Sequence, residues 1–136
     1  MTDYAGALII CKHKLLMLLR DDKPDLFSPN CWGIIGGNIE AGEEVLTALK
    51  REIKEEVNLI LDNFTFLGKL EKPNGGTRHV FAIWVTDEDI KDMHLGNEGQ
   101  ELKFFTFEEL PELKLAGNFL NYYEKYGTEL RGLLDK

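Results

Sequence analysis

The chain has 136 residues, of which 43% are hydrophobic and 29% charged, and its formal net charge is −8. This length and composition predict one soluble globular domain over residues 1–136, whose core buries about two thirds of the unfolded surface. The acidic balance argues against binding to a nucleic-acid polymer, because such binding depends mainly on Lys and Arg.

Cysteine content and hydropathy point to a reducing, cytoplasmic setting. The two cysteines, Cys11 and Cys31, are too few for a disulfide framework, and we expect both to be buried as small apolar side chains. The apolar run Ala5–Cys11 is too short for a signal or membrane segment. We therefore expect no membrane partner.

In the first half of the chain the pattern predicts two strands, two loops and a helix. Alternating apolar residues predict the strands, and a Pro-containing polar stretch predicts a loop that could form the rim of a substrate site. A glycine-rich loop follows, and then a segment of good helix formers without internal Gly or Pro. In chain order these elements are Ala5–Cys11, Leu15–Arg20, Asp21–Asn30, Cys31–Glu40 and a helix from Gly42 or Glu43 to about Val57.

The second half predicts three more strands and a long final helix. The strands are expected at Phe64–Leu70, Thr77–Thr86 and Leu102–Phe107, with a turn at Lys72–Gly76 and an irregular acidic stretch at Asp87–Gln100. A short helical turn at Glu108–Pro111 and a helix over Asn118–Leu134 complete the prediction. Mixed strands flanked by two main helices predict an α/β fold, an α/β/α sandwich with a mixed sheet between helices.

Three carboxylates on the first helix carry the main functional signal. Glu52, Glu55 and Glu56 are three and four residues apart, so they point the same general way. Around the helix, Glu52 and Glu56 fall within the apolar stripe rather than opposite it. Carboxylates directed toward a core are costly unless a cation neutralises them. A hard divalent cation such as Mg²⁺ fits, because it takes carboxylate and phosphate oxygens as ligands.

The residues around these carboxylates form a longer pattern. Gly36 and Gly37 are followed at fixed spacing by Glu43, by the run Arg51–Glu56 and by Leu59. This pattern resembles the Nudix box, the signature of enzymes that hydrolyse a nucleoside diphosphate linked to another group. The resemblance implies the Nudix-type α/β/α sandwich, a Mg²⁺ cofactor with Mn²⁺ as the alternative ion, and attack by a metal-activated water on a phosphorus of the diphosphate bridge.

The same resemblance assigns roles to individual residues. It implies that Arg51 holds a catalytic carboxylate in place and that the Gly36 carbonyl binds metal together with Glu52, Glu55 and Glu56. Two positions depart from the usual pattern. Ile35 stands where many members have Pro, and Asn58 stands where Gly is usual. Asn is the next-best residue for a left-handed helix cap, so the helix is expected to end there.

Four residues outside the box are further candidates. Glu98, in Glu98-Gly99-Gln100, resembles the segment of MutT-type enzymes that supplies another metal ligand or the base for the attacking water, with Glu101 as its competitor. Which glutamate is the general base stays open. Arg20 matches a residue near the substrate phosphates, and Trp32 could stack a base or fill the core. Asn118 resembles the amide that reads an oxidised guanine, although it could instead be an N-cap.

We therefore expect a nucleotide as substrate. The leading hypothesis is hydrolysis of a nucleoside triphosphate, with an oxidised purine as a candidate, to a monophosphate and pyrophosphate. Sugar nucleotides, ADP-ribose and dinucleoside polyphosphates remain alternatives, because the box says little about the far end of the substrate. A non-catalytic nucleotide-binding regulatory module and an acidic scaffold without metal dependence are alternatives from other classes. Both a monomer and a homodimer are compatible with the sequence.

Overall fold

A computed structural model describes residues 2–73 and 75–136. In this part of the chain, strands form a single seven-stranded sheet. They are β1 (Tyr4–Cys11), β2 (Lys14–Leu19), β3 (Trp32–Gly33), β4 (Ile35–Asn38), β5 (Thr65–Glu71), β6 (Thr77–Trp84) and β7 (Glu101–Phe105). The helices are α1 (Val45–Val57), α2 (Gly117–Lys125) and α3 (Gly127–Leu134), with a 3₁₀ helix at Phe107–Glu112.

The sheet is mixed, as the sequence predicts, and β1 lies at its centre. Strand β1 pairs antiparallel with β2 and β4 and parallel with β6. Strand β2 pairs antiparallel with β3 and β7, and β5 pairs antiparallel with β6. A parallel pair needs a long crossover connection, and the segment from β2 to β6 includes α1 in that role. The β1–β6 register places Tyr4 opposite Arg78.

Two apolar clusters pack on the two faces of the sheet. Alternate residues of β1 point to opposite faces: Ala7 and Ile9 join the cluster of α1, whereas Leu8 and Ile10 join the cluster of α2 and α3. The α1 side contributes Leu49, Ile53 and Val57, and the other side contributes Phe119, Leu130 and Leu134. This arrangement confirms the predicted α/β/α sandwich with its sheet between helices.

The C-terminal end of α1 also follows the prediction. Asn58 has φ 57° and ψ 41°, the left-handed conformation expected of a cap, and its backbone N–H donates to the Lys54 carbonyl. The Asn58 side chain accepts a hydrogen bond from Lys54 Nζ at 2.8 Å. The helix begins at Val45, slightly later than predicted. Glu43 lies before it because its carboxylate accepts from the Glu40 backbone N–H at 3.0 Å.

Three sequence predictions about secondary structure were wrong. The loop predicted at Cys31–Glu40 contains β3 and β4, which are too short and glycine-rich to give a strand pattern. The final helix is interrupted at Tyr126, where φ is −123° and ψ is 33°, and Gly127 starts α3. Glycine weakens a helix interior, which favours a break there. Phe107 belongs to the 3₁₀ helix rather than to β7, because Thr106 and Glu109 form a capping box.

Two further sequence predictions concern a turn and membrane-spanning segments. The predicted turn at Lys72–Gly76 includes Asn74, which lies outside the described residues. Across residues 2–73 and 75–136, no helix combines the length and apolar character that crossing a membrane requires.

Candidate active site

The inner carboxylates of α1 lie against the glycine pair of β4. The backbone N–H of Gly36 donates to Glu56 Oε1 at 2.7 Å. A side chain at Gly37 would overlap the carboxyl group of Glu52. Gly37 therefore allows Glu52 to approach the strand backbone closely, whereas the missing side chain at Gly36 makes room for the Ala5 carbonyl and the Tyr4 hydroxyl. Glu52 and Glu56 are half-buried, as their place in the apolar stripe suggests, whereas Glu55 is exposed.

The electrostatics of these carboxylates indicate a shared acidic site. Burial raises the pKa of Glu56 to about 8, and the negative charges of Glu52 and Glu98 add to the rise. Burial also raises the pKa of Glu52, with further contributions from Glu55 and Glu98. Carboxylates that raise one another's pKa lie close together and are stabilised by a cation. The site therefore has the charge and the oxygen donors that suit a hard divalent metal ion.

Arg51 holds the acidic site in place. Its Nε and Nη2 atoms donate to the two carboxylate oxygens of Glu43 at 2.9 and 3.0 Å. Its Nη1 donates to Glu52 Oε1 at 2.9 Å, and Nη2 also reaches the Asn38 carbonyl at 3.1 Å. The guanidinium lowers the pKa of Glu43 to about 2. Arg51 thus ties α1 to β4 and orients Glu52, while Glu43 remains ionised and occupied with Arg51.

The predicted metal ligands do not form a closed cage by themselves. Within residues 2–73 and 75–136, no group of three or more His, Cys, Asp or Glu side chains converges to hold a metal ion. Arg51 occupies Glu52, and the Gly36 N–H occupies Glu56. This open arrangement fits Mg²⁺, which usually binds to one or two carboxylates together with water and substrate phosphate oxygens.

Glu98 approaches the same carboxylates from a different segment. The backbone N–H of His94 donates to the Val57 carbonyl at 3.1 Å, and that of Gly96 donates to the Glu56 carbonyl at 2.8 Å. These bonds dock the loop before β7 onto the C-terminal end of α1. A side chain at Gly96 would overlap the Glu55 carbonyl. Sequence reasoning missed Gly96, because a single glycine in an irregular stretch gives no signal for close packing.

Arg20 lies near the acidic site at the end of β2. Its positive charge partly opposes the rise in the pKa of Glu56. Its Nε donates to the Phe27 carbonyl at 2.8 Å, and its own carbonyl accepts from Gln100 Nε2 at 2.7 Å. Gln100 also donates to Asn30 Oδ1 at 2.9 Å. Arg20 and Gln100 therefore order the loop Asp21–Asn30 beside the carboxylates.

Asn118 lies on α2, on the opposite face of the sheet from α1. The helix starts at Gly117 with Ala116 as its N-cap, so the N-cap alternative for Asn118 is wrong. Its Nδ2 donates to the Tyr4 hydroxyl at 3.0 Å and to the Ile34 carbonyl at 3.2 Å. A Cβ at Gly33 would lie 2.6 Å from Asn118 Oδ1, so Gly33 makes room for the amide.

Arg78 is a functional candidate that sequence reasoning missed. Its side chain is only 4% exposed, and its Cζ lies 5.6 Å from the centre of the Tyr4 ring. Among the described residues, just three buried side-chain nitrogen or oxygen atoms lack a hydrogen-bond partner: Arg78 Nε, Arg78 Nη1 and Asn118 Oδ1. Both residues contact Tyr4. The strand predicted at Thr77–Thr86 contains no signal for a buried cation without an acid beside it.

Tyr4 connects Arg78 and Asn118 to the acidic site. A Cβ at Gly36 would lie 2.8 Å from the Tyr4 hydroxyl, and the Gly36 N–H binds Glu56. Burial and the charge of Glu56 raise the pKa of Tyr4 well above its ordinary value. The hydroxyl therefore stays protonated and can donate a hydrogen bond. We call Tyr4, Arg78 and Asn118 the polar cluster.

The Trp32 side chain packs against the cluster of α2 and α3 and not beside the carboxylates of α1. Its ring packs edge-on against Phe105, with centroids 4.8 Å apart, beside the α2 cluster. Its backbone bonds to the segment before α2, through the Lys114 carbonyl at 2.8 Å and the Ala116 N–H at 2.7 Å. These contacts support core packing, and base stacking by Trp32 stays a prediction.

Comparison with known proteins identifies the family. The NUDIX domain model matches residues 2–126. An ADP-ribose pyrophosphatase of Methanocaldococcus jannaschii is 34% identical over 103 residues, which are 74% of this chain and 59% of that protein. The chain thus spans less than two thirds of this relative. The nucleoside triphosphatase NudI of Salmonella paratyphi B is 28% identical over 140 aligned residues, covering 95% of this chain and 90% of NudI.

A solved structure supports the same assignment at the level of the fold. A MutT NUDIX hydrolase from Burkholderia pseudomallei has a TM-score of 0.76 and 23% identity, covering 92% of this chain and 97% of that one. Nudix hydrolases act on nucleotide substrates and generally need a divalent metal ion. The match along most of the chain, the acidic site on α1 and the mixed sheet agree: this chain belongs to the Nudix family.

Proposed function

We propose that this chain, as one catalytic domain, hydrolyses a purine nucleoside triphosphate to a monophosphate and pyrophosphate with Mg²⁺. An oxidised purine is included in this substrate class. One observation carries the proposal: Gly36 contacts both the catalytic carboxylate Glu56 and Tyr4, in a polar cluster that contains unpaired buried atoms. Such atoms are costly unless a ligand completes their hydrogen bonds.

At the phosphate end, the acidic site prepares the cleavage. Glu52, Glu55 and Glu56 would hold the divalent ion, and the Gly36 carbonyl is a further candidate ligand. When bound, the ion lowers the pKa of a water and shields the phosphate charge. Arg51 keeps Glu52 oriented through its 2.9 Å bond.

The water attacks a phosphorus atom of the diphosphate bridge, and the bond to the departing phosphate oxygen breaks. Glu98 is our candidate to accept the proton of this water, because it is exposed and makes no bond to Arg51 or Gly36. Glu56 is the alternative base. Arg20 is our candidate to bind substrate phosphate, because its positive charge acts on the nearby Glu56.

At the other end, the polar cluster offers both donors and an acceptor. Asn118 Oδ1 can accept, while Arg78 Nε and Nη1 can donate. A purine edge presents both donors and acceptors, whereas fully ionised inorganic triphosphate presents acceptors alone. This combination of donors and an acceptor supports recognition of a purine base in addition to binding of phosphate.

A second candidate substrate is ADP-ribose. It is motivated by the 34% identity to an ADP-ribose pyrophosphatase over 103 residues. The acidic site would cleave its diphosphate in the same way, and the polar cluster would then contact adenine or ribose. We favour the triphosphate because NudI matches nearly the whole of this chain and is named for triphosphates.

The test is release of phosphate products from a nucleotide panel, with and without Mg²⁺ or Mn²⁺. The panel contains normal and 8-oxo purine triphosphates, pyrimidine triphosphates, a nucleotide sugar, ADP-ribose and a dinucleoside polyphosphate. We expect metal-dependent cleavage of purine triphosphates, lost by about 10³-fold in Glu56→Gln. Glu44→Gln is the matched control, because Glu44 is an exposed acid just before α1 and makes no side-chain cap bond.

Other outcomes point to the alternatives. Faster cleavage of ADP-ribose than of any triphosphate would replace the proposed substrate. Nucleotide binding without any cleavage would indicate a regulatory binding module. Neither binding nor metal dependence would leave only the acidic scaffold.

A further inference from the structure

The hydrogen bonds of Asn118 fix the orientation of its amide. A side-chain amide has two N–H donors on nitrogen and one oxygen acceptor. The Ile34 carbonyl can only accept, so the atom that faces it at 3.2 Å must be Nδ2. The second Nδ2 proton goes to the Tyr4 hydroxyl oxygen at 3.0 Å. Both donors are therefore used within the protein, and Oδ1 alone is left without a hydrogen-bond partner.

Tyr4 is held rigidly in the position that this bond requires. A Cβ at Gly6 would lie 2.8 Å from Tyr4 Cε1, and one at Gly36 would lie 2.8 Å from the Tyr4 hydroxyl. Two glycines thus make room for the ring and its oxygen. Arg78 lies over the ring at 5.6 Å. The hydroxyl accepts from Asn118, so its own proton remains available for donation.

We propose that Tyr4 is a specificity-determining positioning residue that restricts Asn118 to the role of acceptor. The polar cluster then offers one acceptor, Asn118 Oδ1, beside the donors Arg78 Nε and Nη1. A base with a neighbouring ring N–H and C=O, a lactam edge, complements this set. Guanine and hypoxanthine carry a lactam edge, and so do 8-oxopurines, whereas unmodified adenine and cytosine do not. This inference deepens the proposed function and rests on it for the identity of the substrate.

Removing one oxygen atom tests the role of Tyr4. Tyr4→Phe keeps the ring but frees the second N–H of the Asn118 amide. We expect KM for GTP to rise about tenfold with kcat within about twofold, and the preference for GTP over ATP to fall about tenfold, as for loss of one buried hydrogen bond. Tyr122→Phe is the matched control, since Tyr122 is a buried tyrosine of α2 outside the polar cluster.

A double-substitution cycle separates positioning from packing. If Tyr4 acts through Asn118, then adding Tyr4→Phe to Asn118→Ala causes no further loss of GTP preference. Proton-exchange NMR of the Asn118 side-chain amide gives a readout that does not depend on activity. We expect both amide protons to be protected in the wild-type protein and one to exchange faster in Tyr4→Phe.

Binding of GMP and AMP distinguishes failure of this inference from failure of the proposed function. If the enzyme cleaves no triphosphate but binds GMP more tightly than AMP, and Tyr4→Phe abolishes that difference, the positioning role stands and the proposed reaction fails. Equal affinities for GMP and AMP in the wild-type protein would overturn the lactam-edge inference. A Tyr4→Phe variant that loses stability like Tyr122→Phe but keeps its base preference would overturn it too.

Discussion

The acidic site and the polar cluster both lie beside Gly36, but they satisfy their polar groups in opposite ways. In the acidic site, Arg51 binds Glu43 and Glu52, and the Gly36 N–H binds Glu56. In the polar cluster, Arg78 and Asn118 keep buried atoms without partners. The protein therefore holds the acidic groups in place by itself, whereas under the proposed function a ligand completes the hydrogen bonds of the polar cluster.

The two regions also differ in how their residues lie along the chain. The acidic site comes mainly from β4, α1 and the segment between them, within residues 36–56. The polar cluster combines β1, β6 and α2, whose residues are separated by tens of positions. A shared dependence on Gly36 joins them.

Loss of Arg51 should impair the acidic site most strongly. Arg51→Ala removes the bonds to Glu43 and Glu52 and leaves their charges unbalanced. We expect kcat to fall by about 10²-fold or more, with little change in KM, because positioned groups are lost in the transition state. Steady-state kinetics would measure this. Lys50→Ala is the control, since Lys50 is an exposed neighbour that pairs with Asp62. Equal kinetics for both variants would contradict the role of Arg51.

Loss of the Asn118 amide should affect recognition rather than cleavage. In Asn118→Ala, kcat/KM for purine triphosphates should fall by about tenfold or more, since a buried hydrogen-bonding group that reads the base is removed. Asn121→Ala on the same helix provides the comparison. An unchanged purine preference in Asn118→Ala would mean that this residue does not read the base.

The buried acidic site should make the metal-free protein pH-dependent. The pKa of Glu56 is about 8 in the folded protein, against an ordinary value of 4.5. Between these values the unfolded chain has released this proton and the folded chain retains it, so the free energy of unfolding falls as pH rises. Urea unfolding in a chelator should show a loss of a few kcal/mol from about pH 5 to pH 8.

The same experiment has an internal control. Glu56→Gln should remove most of the fall in the free energy of unfolding with rising pH, and the smaller contribution of Glu52 should remain. Adding Mg²⁺ should restore stability most at high pH, because a bound cation favours the ionised carboxylates. If Glu56→Gln shows the same pH dependence of unfolding as the wild-type protein, this dependence does not come from Glu56.

A small effect is expected at the cap of α1, outside both regions. Asn58 adopts φ 57°, which disfavours alanine, and its side chain binds Lys54 Nζ. Asn58→Ala should lower the free energy of unfolding by about 1 kcal/mol and leave KM unchanged. Thermal unfolding and kinetics together would show whether the loop that carries Glu98 depends on this cap. A change in KM would reveal such a dependence.

The contrast between the two regions also explains what the sequence could predict. The α1 carboxylates follow from helical periodicity and local spacing, and the left-handed cap at Asn58 follows from residue type. The sandwich follows from alternating strands and amphipathic helices. These features depend on neighbours along the chain, which a single sequence contains.

What the sequence could not predict depends on contacts between distant segments. Strands β3 and β4 form only because β2 and β1 provide partners for short glycine-rich segments. Burial of Arg78 depends on Tyr4 and on the packing of β6 against β1. The orientation of the Asn118 amide depends on the Ile34 carbonyl. None of these contacts has a local pattern, so they become visible only in three dimensions.

The central claim is that the two regions act on the two ends of one purine nucleoside triphosphate. The most direct measurement compares kcat/KM for GTP, 8-oxo-GTP, CTP and ADP-ribose with Mg²⁺, with the products identified by phosphorus NMR. We expect a monophosphate and pyrophosphate from each triphosphate, with the highest kcat/KM for GTP and 8-oxo-GTP. Equal rates for GTP and CTP, or a higher kcat/KM for ADP-ribose than for either purine triphosphate, would contradict it.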